Sequence, residues 1–129
     1  MAIDSDLWQA YCDPYFRFER QLMCNWFAII TAWNPKSIWL SKSDNDRNNQ
    51  HLAQEVSHTC WCGVQVGNKD FTWFEESFAV QISQHEALEL GRKYQQNAIY
   101  YVEGERLFLL SCLEEQSKVA LGNWRSRCR

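Results

Sequence analysis

The run WFAIITAW occupies residues 26–33 and is followed directly by Asn34-Pro35. Its short length and its aromatic and β-branched side chains favour a buried β-strand over a helix. Asn-Pro initiates turns, and Pro35 should hold residue 34 in an extended conformation from which the Asn side chain can bond neighbouring backbone groups. We therefore interpret residues 26–33 as the first core strand and expect Asn34 to fix the turn that ends it.

Capping residues and apolar alternation predict the other helices and strands. In chain order they are a helix after Asp4, an extended piece at 15–18, a helix from Ser41 to about Ser57, strands at 59–66 and from Phe71, a helix capped by Ser83, and a hairpin of residues 97–102 and 106–112. Residues 114–129 are interpreted as a short helix ended by Gly122 and a basic tail. Gly91, in the middle of its helix, indicates close packing.

From the first core strand the order is β-α-β-β-α-β, which is that of the ferredoxin-like (split β-α-β) α+β fold. That fold is an antiparallel sheet with two helices on one face, extended here by a C-terminal hairpin strand and an N-terminal helix. We expect the strand ending at Trp33 to lie between the strands from Phe71 and from Asn97, and we take the first and third strands to be parallel. The 129 residues are expected to form one domain with a core at about 26–113.

Composition and charge narrow the classes of protein. Hydrophobic residues make up 46% of the chain and the formal net charge is −3, so it should fold alone or as a small oligomer such as a homodimer, and nucleic acid is a disfavoured partner. The start MAIDSDLW lacks the basic and apolar segments of a secretory signal, and no apolar run reaches the roughly 18 residues of a membrane span. We expect a cytoplasmic protein with no membrane partner.

Six cysteines are present, and the sequence predicts reduced thiols rather than three disulfides. Most lie within or beside apolar stretches, where a free thiol behaves as a small hydrophobic side chain. These are Cys12, Cys24, Cys60, Cys62 and Cys112. Cys128, between two arginines, is the one that we expect to be exposed.

His58, Cys60 and Cys62 alternate in sequence and would share one face of the predicted strand. Zinc sites usually pair their ligands across a turn, and no second pair is evident, so we expect core thiols and no metal. His51 and His85 are interpreted as surface residues.

Several short motifs together resemble one bacterial family. They are Thr31-Ala32-Trp33-Asn34-Pro35, Asn45, Glu75-x-Ser77-Phe78, Leu90-Gly91 and Gln96-Asn97-Ala98-Ile99. Over about residues 27–102 the chain resembles the bacterial domain-of-unknown-function family 3293, a resemblance that implies no particular activity. One departure is Asn48, which occupies the position where an arginine is expected in the family, with Arg47 one position earlier. If that arginine holds a ligand in relatives, this chain lacks the contact.

Amides and short polar side chains lie at three places: the end of the first core strand, the buried face of the next helix and the start of the fourth strand. They are Thr31, Asn34, Asn45, Asn49, Gln96 and Asn97. With parallel first and third strands these groups converge at one end of the sheet and can bind a polar ligand. The alternative is structural: Asn34 caps its turn, the helix amides satisfy loop carbonyls, and the last two residues end a helix.

Glu75, Glu76 and Ser77 interrupt a strand otherwise made of Phe, Trp and Val. A carboxyl group in such surroundings would have a raised pKa and can serve as a general acid or base. The alternative is one solvated glutamate and one paired with Arg or Lys. Glu75 is the candidate for ligand binding, and also for catalysis, although no serine-nucleophile motif or phosphate loop accompanies it.

Trp124 with Arg125, Arg127 and Arg129 forms a basic aromatic tail that can stack on a base or dock on an acidic partner. The alternative is a solvated terminus with Trp124 packed onto the domain.

The sequence therefore predicts a small binding or protein-interaction module that takes an unknown protein or a small polar ligand and needs no cofactor. The alternative is a small enzyme in which Glu75 acts as general acid or base near the Asn/Gln cluster. We prefer the binding module because the sequence shows no clear motif for a catalytic nucleophile, a set of metal ligands or a phosphate-binding loop.

Overall fold

The computed structural model describes residues 3–22, 24–113 and 117–129. The helices and strands in chain order are α1 (Ser5–Tyr11), β1 (Tyr15–Phe18), β2 (Trp26–Ile30), α2 (Lys42–Val56), β3 (Trp61–Gly67), β4 (Phe74–Val80), α3 (Gln84–Lys93), β5 (Ala98–Glu103), β6 (Arg106–Ser111) and β7 (Lys118–Asn123). Short 3-10 turns lie at Pro35–Ser37 and Arg125–Arg127. Among the helices of these residues, none has the length and apolarity needed to cross a membrane.

The seven strands form one antiparallel sheet in the order β1-β3-β4-β2-β5-β6-β7, and the sheet curls into a half-barrel. As predicted, β2 lies between β4 and β5. The chain after β7 returns to the opposite edge of the sheet, where Cys128 forms an isolated bridge with Phe16. Arg129 also donates its backbone N–H to the Phe16 carbonyl at 2.8 Å. The inside of the curl is therefore covered by the chain's own C-terminal residues.

The predicted ferredoxin-like class is wrong, because the sheet is larger and both of its faces are covered. Residues 15–18 add β1 at one edge, and residues 118–123 add β7 at the other. This second segment was predicted as the last part of a helix ended by Gly122 and the start of the tail, but it pairs with β6, with Arg106 opposite Asn123 and Leu110 opposite Lys118. The open edge of β6 offers these residues a ladder of backbone hydrogen bonds, and this pairing overrides a weak helical pattern. Residues 114–116 of the predicted helix lie outside the described residues.

The first and third core strands, β2 and β4, are antiparallel, so the prediction that they are parallel is also wrong. Ala28 lies opposite Val80, and Ile30 lies opposite Phe78. In this arrangement the end of β2 meets the starts of β4 and β5 at the same end of the sheet. Polar residues at those three positions are brought together by antiparallel pairing.

Two apolar clusters cover the two faces of the sheet. On the outer face, Leu52 and Val56 of α2 and Ala87 of α3 pack on the strands. The inner face lies inside the curl and includes Phe16 and Phe27. Because β2 contributes to both clusters, its residues form an unbroken apolar run rather than an alternating pattern.

Exposure of the cysteines differs from the prediction at two positions. Cys60 is exposed, because it precedes β3 and does not reach the inner face, whereas Cys128 is partly buried. The return of the chain to β1 packs Cys128 against the inner cluster. Cys62 and Cys112 are buried as predicted.

Candidate functional site

A pocket of about 410 Å³ opens on the inner face, at the end of the sheet where β2 ends and β4 and β5 begin. Helix α1 forms one side of it. Its apolar wall includes Leu7, Ala10, Pro14, Ile29, Val66, Ala98, Tyr100 and Leu109. Its polar end includes Thr31, Asn34, Ser37, Glu75, Ser77, Gln96 and Asn97. The volume lies in the range that is common for sites of small organic ligands.

Most of the predicted ligand-binding residues line this pocket. They are Thr31, Asn34, Glu75, Gln96 and Asn97. The other two, Asn45 and Asn49, are buried in α2 behind it. Asn48 and Arg47, where the sequence departs from the expected family pattern, do not line the pocket.

Asn34 holds the loop after β2 in a left-handed conformation, with φ 45° and ψ 61°, rather than in the predicted extended one. Its Oδ1 accepts hydrogen bonds from the Leu40 backbone N–H at 2.9 Å and from Asn45 Nδ2 at 3.0 Å. Its own N–H donates to Asn45 Oδ1 at 2.8 Å. These three bonds offset the cost of the left-handed conformation, which Asn tolerates better than most residues. The turn is fixed by Asn34, as predicted, but in a different backbone geometry.

Asn49 and Thr31 satisfy backbone groups beside the pocket. Asn49 Oδ1 accepts from the Ala32 N–H at 2.9 Å, and Asn49 Nδ2 donates to the Glu76 carbonyl at 2.9 Å. Thr31 Oγ1 donates to the same carbonyl at 2.7 Å. For Asn45 and Asn49 the structural alternative therefore describes what the side chains do.

Glu75 is partly buried at the polar end of the pocket, and its Oε2 accepts from Asn34 Nδ2 at 2.9 Å. Burial raises the pKa of the Glu75 carboxyl, and the weaker opposing effect of the Asn34 hydrogen bond lowers it. Glu76 accepts from Gln65 Nε2 at 2.9 Å. Within the part of the chain that the structure describes, neither glutamate forms an ion pair, so the alternative of pairing with Arg or Lys is wrong there.

Gln96 and Asn97 connect the start of β5, through hydrogen bonds, to the loop after β2 and to α1. Gln96 Nε2 donates to the Trp33 carbonyl at 3.0 Å and to the Tyr94 carbonyl at 3.2 Å. Asn97 Nδ2 lies 3.1 Å from Ser37 Oγ and 3.3 Å from the Tyr11 hydroxyl. The hydroxyls of Tyr11 and Ser37 are themselves 2.5 Å apart. This cluster holds α1 against the pocket.

Sequence reasoning missed Tyr11, Ser37 and two tryptophans at the pocket mouth. Trp39 and Trp73 line the pocket with ring centroids 6.0 Å apart, and they are 69% and 40% exposed. The sequence feature that could have identified these two tryptophans is the presence of large aromatic side chains in otherwise polar loops. No local pattern marks Tyr11, which is 86 residues from Asn97 in the chain.

The histidines and cysteines that were considered as metal ligands lie apart from this site. His58 and Cys60 are exposed while Cys62 is buried. Throughout the described ranges, no group of three or more His, Cys, Asp or Glu side chains is placed to hold a metal ion. His51 and His85 are exposed, as predicted.

The basic tail folds back onto the domain. The Trp124 ring centroid lies 5.4 Å from that of Phe18 and 5.5 Å from that of Phe27. Arg127 Nη1 forms an ion pair with Asp13 Oδ1 at 3.0 Å. The alternative in which Trp124 packs onto the domain is therefore confirmed.

Fold and site together define a small α+β protein whose half-barrel sheet carries a pocket at one end. Residues 30–99, more than half of the chain, match DUF3293, a family of proteins of unknown function. The chain belongs to this family, as the sequence motifs indicated. No curated protein and no solved structure matches it. The polar end of the pocket up to Asn97 lies within the matched segment, whereas α1 lies outside it.

Proposed function

We propose that this protein is a binding module that takes a small organic ligand into the half-barrel pocket. One observation carries the proposal: a cavity of about 410 Å³ has an apolar wall and a polar end at which Asn34 and Glu75 meet. Apolar pockets with a few convergent polar groups are the usual form of small-molecule sites. A small ligand fits better than a protein partner, because the polar groups line a concavity rather than a flat surface.

The cellular setting is part of the proposal. The family resemblance supports a bacterial source. The buried free thiols of Cys62 and Cys112, together with the moderate negative charge, support the reducing cytoplasm.

The test blocks the pocket without disturbing the sheet. Ala10 is exposed on α1 and lines the pocket, so Ala10→Trp should fill its mouth. Gln9→Trp is the matched control, because Gln9 is exposed on the same helix and does not line the pocket. A fragment library screened by NMR should yield ligands that bind wild type and Gln9→Trp but not Ala10→Trp. Ligands that bind all three proteins equally would contradict the proposal.

An enzyme using Glu75 as general acid or base is the second candidate function. It is favoured by the raised pKa of Glu75, since a carboxyl group with a pKa nearer neutrality exchanges protons more readily at neutral pH. The same NMR samples separate the two functions. An enzyme would convert a bound fragment over hours and lose this conversion in Glu75→Gln, whereas a binding module leaves every fragment unchanged.

A further inference from the structure

Hydrogen bonds within the protein already use most of the side-chain donors of Gln96 and Asn34 at the polar end of the pocket. Gln96 Nε2 donates both of its hydrogen bonds to backbone carbonyls, which can only accept. This fixes the orientation of the side-chain amide, so the atom of Gln96 that is left without a partner is its oxygen, Oε1. Asn34 directs its amide nitrogen to Glu75, and its oxygen is occupied by Leu40 and Asn45. Both N–H groups of Gln96 Nε2 and one of the two N–H groups of Asn34 Nδ2 are therefore used within the protein.

Two hydrogen-bond acceptors at the polar end of the pocket remain available to a ligand. Among the described residues, no donor reaches Glu75 Oε1 or Gln96 Oε1. Neither oxygen is among the buried atoms that lack a partner, so both keep contact with solvent or the pocket. A ligand group that contacts these two oxygens must donate hydrogen bonds to them.

Among the described residues of the pocket, none forms an ion pair with Glu75. The other titratable lining residues of the pocket are Tyr11, Asp13, Lys69 and Tyr100. Lys69 is exposed, and within the described chain it forms no ion pair with Glu75. A partly buried carboxylate without a counter-charge is costly, and a cation from outside would relieve that cost.

The rest of the pocket suits an apolar or aromatic body. Tyr100 and Leu109 lie on its wall, and Trp39 and Trp73 lie at its mouth. Exposed tryptophan faces attract both apolar groups and cations.

We propose that the ligand is an organic amine, whose protonated nitrogen contacts the free oxygens of Glu75 and Gln96 and whose apolar part lies against Tyr100 and Leu109. This inference rests on the proposed function and specifies the class of ligand. It follows from two acceptor oxygens at the polar end that no donor of the described residues reaches, one of them in a carboxyl group, beside an apolar wall.

The test compares three probes of similar shape: 2-phenylethylamine, 2-phenylethanol and phenylacetate. Binding to the wild-type chain is measured by NMR titration at neutral pH. We expect the amine to bind at least about ten-fold more tightly than the alcohol, which is the scale of one charge-assisted hydrogen bond, and the carboxylate to bind most weakly. Glu75→Gln should remove this preference while the alcohol still binds. Glu76→Gln is the matched control, because Glu76 does not line the pocket, and it should keep the preference.

The outcomes separate the inference from the proposed function. If the alcohol binds in the pocket as tightly as the amine, or if Glu76→Gln removes the preference as fully as Glu75→Gln does, the amine inference is overturned and the binding pocket stands. If no probe gives shifts that Ala10→Trp abolishes, both are overturned.

Discussion

Asn34 Nδ2 donates to Glu75 Oε2 across 2.9 Å and thereby joins the loop after β2 to the start of β4. The oxygen of the same Asn34 side chain holds the loop itself, through Leu40 and Asn45. One amide thus fixes a turn and orients the carboxyl group of the candidate site. Stability and binding are expected to be coupled at this residue.

Replacing Asn34 should reveal two separate costs. Asn34→Gly should lower the free energy of unfolding by about 1–3 kcal/mol, because buried polar partners lose their hydrogen bonds. Asn34→Ala should cost about 1 kcal/mol more, since φ is 45° and Ala disfavours the left-handed region. Urea melts measure both. Gln50→Ala, at an exposed position of α2, is the control and should stay within about 0.5 kcal/mol of wild type. A loss below about 0.5 kcal/mol for Asn34→Ala would exclude the structural role.

Glu75 should make stability depend on pH in a defined direction. Burial raises the pKa of Glu75 in the folded chain above its unfolded value of about 4.3, so its contribution to stability is fully present below that pH. The contribution is lost as the pH rises through the folded pKa. Glu75→Gln keeps an acceptor for Asn34 but carries no charge, so it should gain stability relative to wild type as the pH rises.

The measurement for Glu75 is the difference in unfolding free energy between the two proteins, from urea melts between about pH 3.5 and pH 8. All other titrating groups are common to both proteins, so the difference isolates Glu75. Glu76→Gln, for which Gln65 supplies a hydrogen bond, is the control. A difference that stays flat or falls with pH would contradict a raised pKa.

Gly91 should not tolerate a methyl group, although Ala is the better helix former. A Cβ atom at Gly91 would lie 2.6 Å from Cys112 Sγ and 3.0 Å from Ile99 Cγ2. The close packing predicted from the sequence is confirmed by these distances. Gly91→Ala should therefore lower the free energy of unfolding by about 1–3 kcal/mol, against a propensity gain of about 1 kcal/mol.

A double-mutant cycle with Cys112→Ala tests the cause of that loss. Removing the thiol takes away the closer of the two contacts, so Gly91→Ala should cost less in the Cys112→Ala background than in wild type. Strictly additive effects in thermal or urea melts would show that the contact with Cys112 is not the cause.

The thiols should differ widely in reactivity. Cys60 is exposed and should be modified first by a thiol reagent in the native protein. Burial raises the pKa of Cys112 to about 12, so Cys112 should stay unmodified until the chain unfolds. In urea all six thiols of the sequence should titrate, without bound metal. Stoichiometric zinc, or fewer than six thiols in protein purified without reductant, would contradict this prediction.

Local patterns in the sequence determined most of the helices and strands and several of the strand neighbours. Ser41 and Ser83 cap the two long helices through the N–H groups of Asp44 and Glu86, as predicted. The apolar run at 26–33 contains β2, and its neighbours β4 and β5 were predicted correctly. These features depend on side chains a few residues apart, so a single sequence is enough to read them. The family, too, was recognisable from short motifs.

The class of fold and the pocket were decided by the tertiary structure alone. KVALGN carries no local signal that separates a short helix from an edge strand; pairing with β6, which forms only once the sheet exists, made it β7. The curl then placed Tyr11 beside Ser37 and Asn97, and it made a cavity from several segments that are distant from one another in the chain. Such contacts depend on how a seven-stranded sheet twists and closes, and that geometry is a property of all its strands together rather than of any one segment.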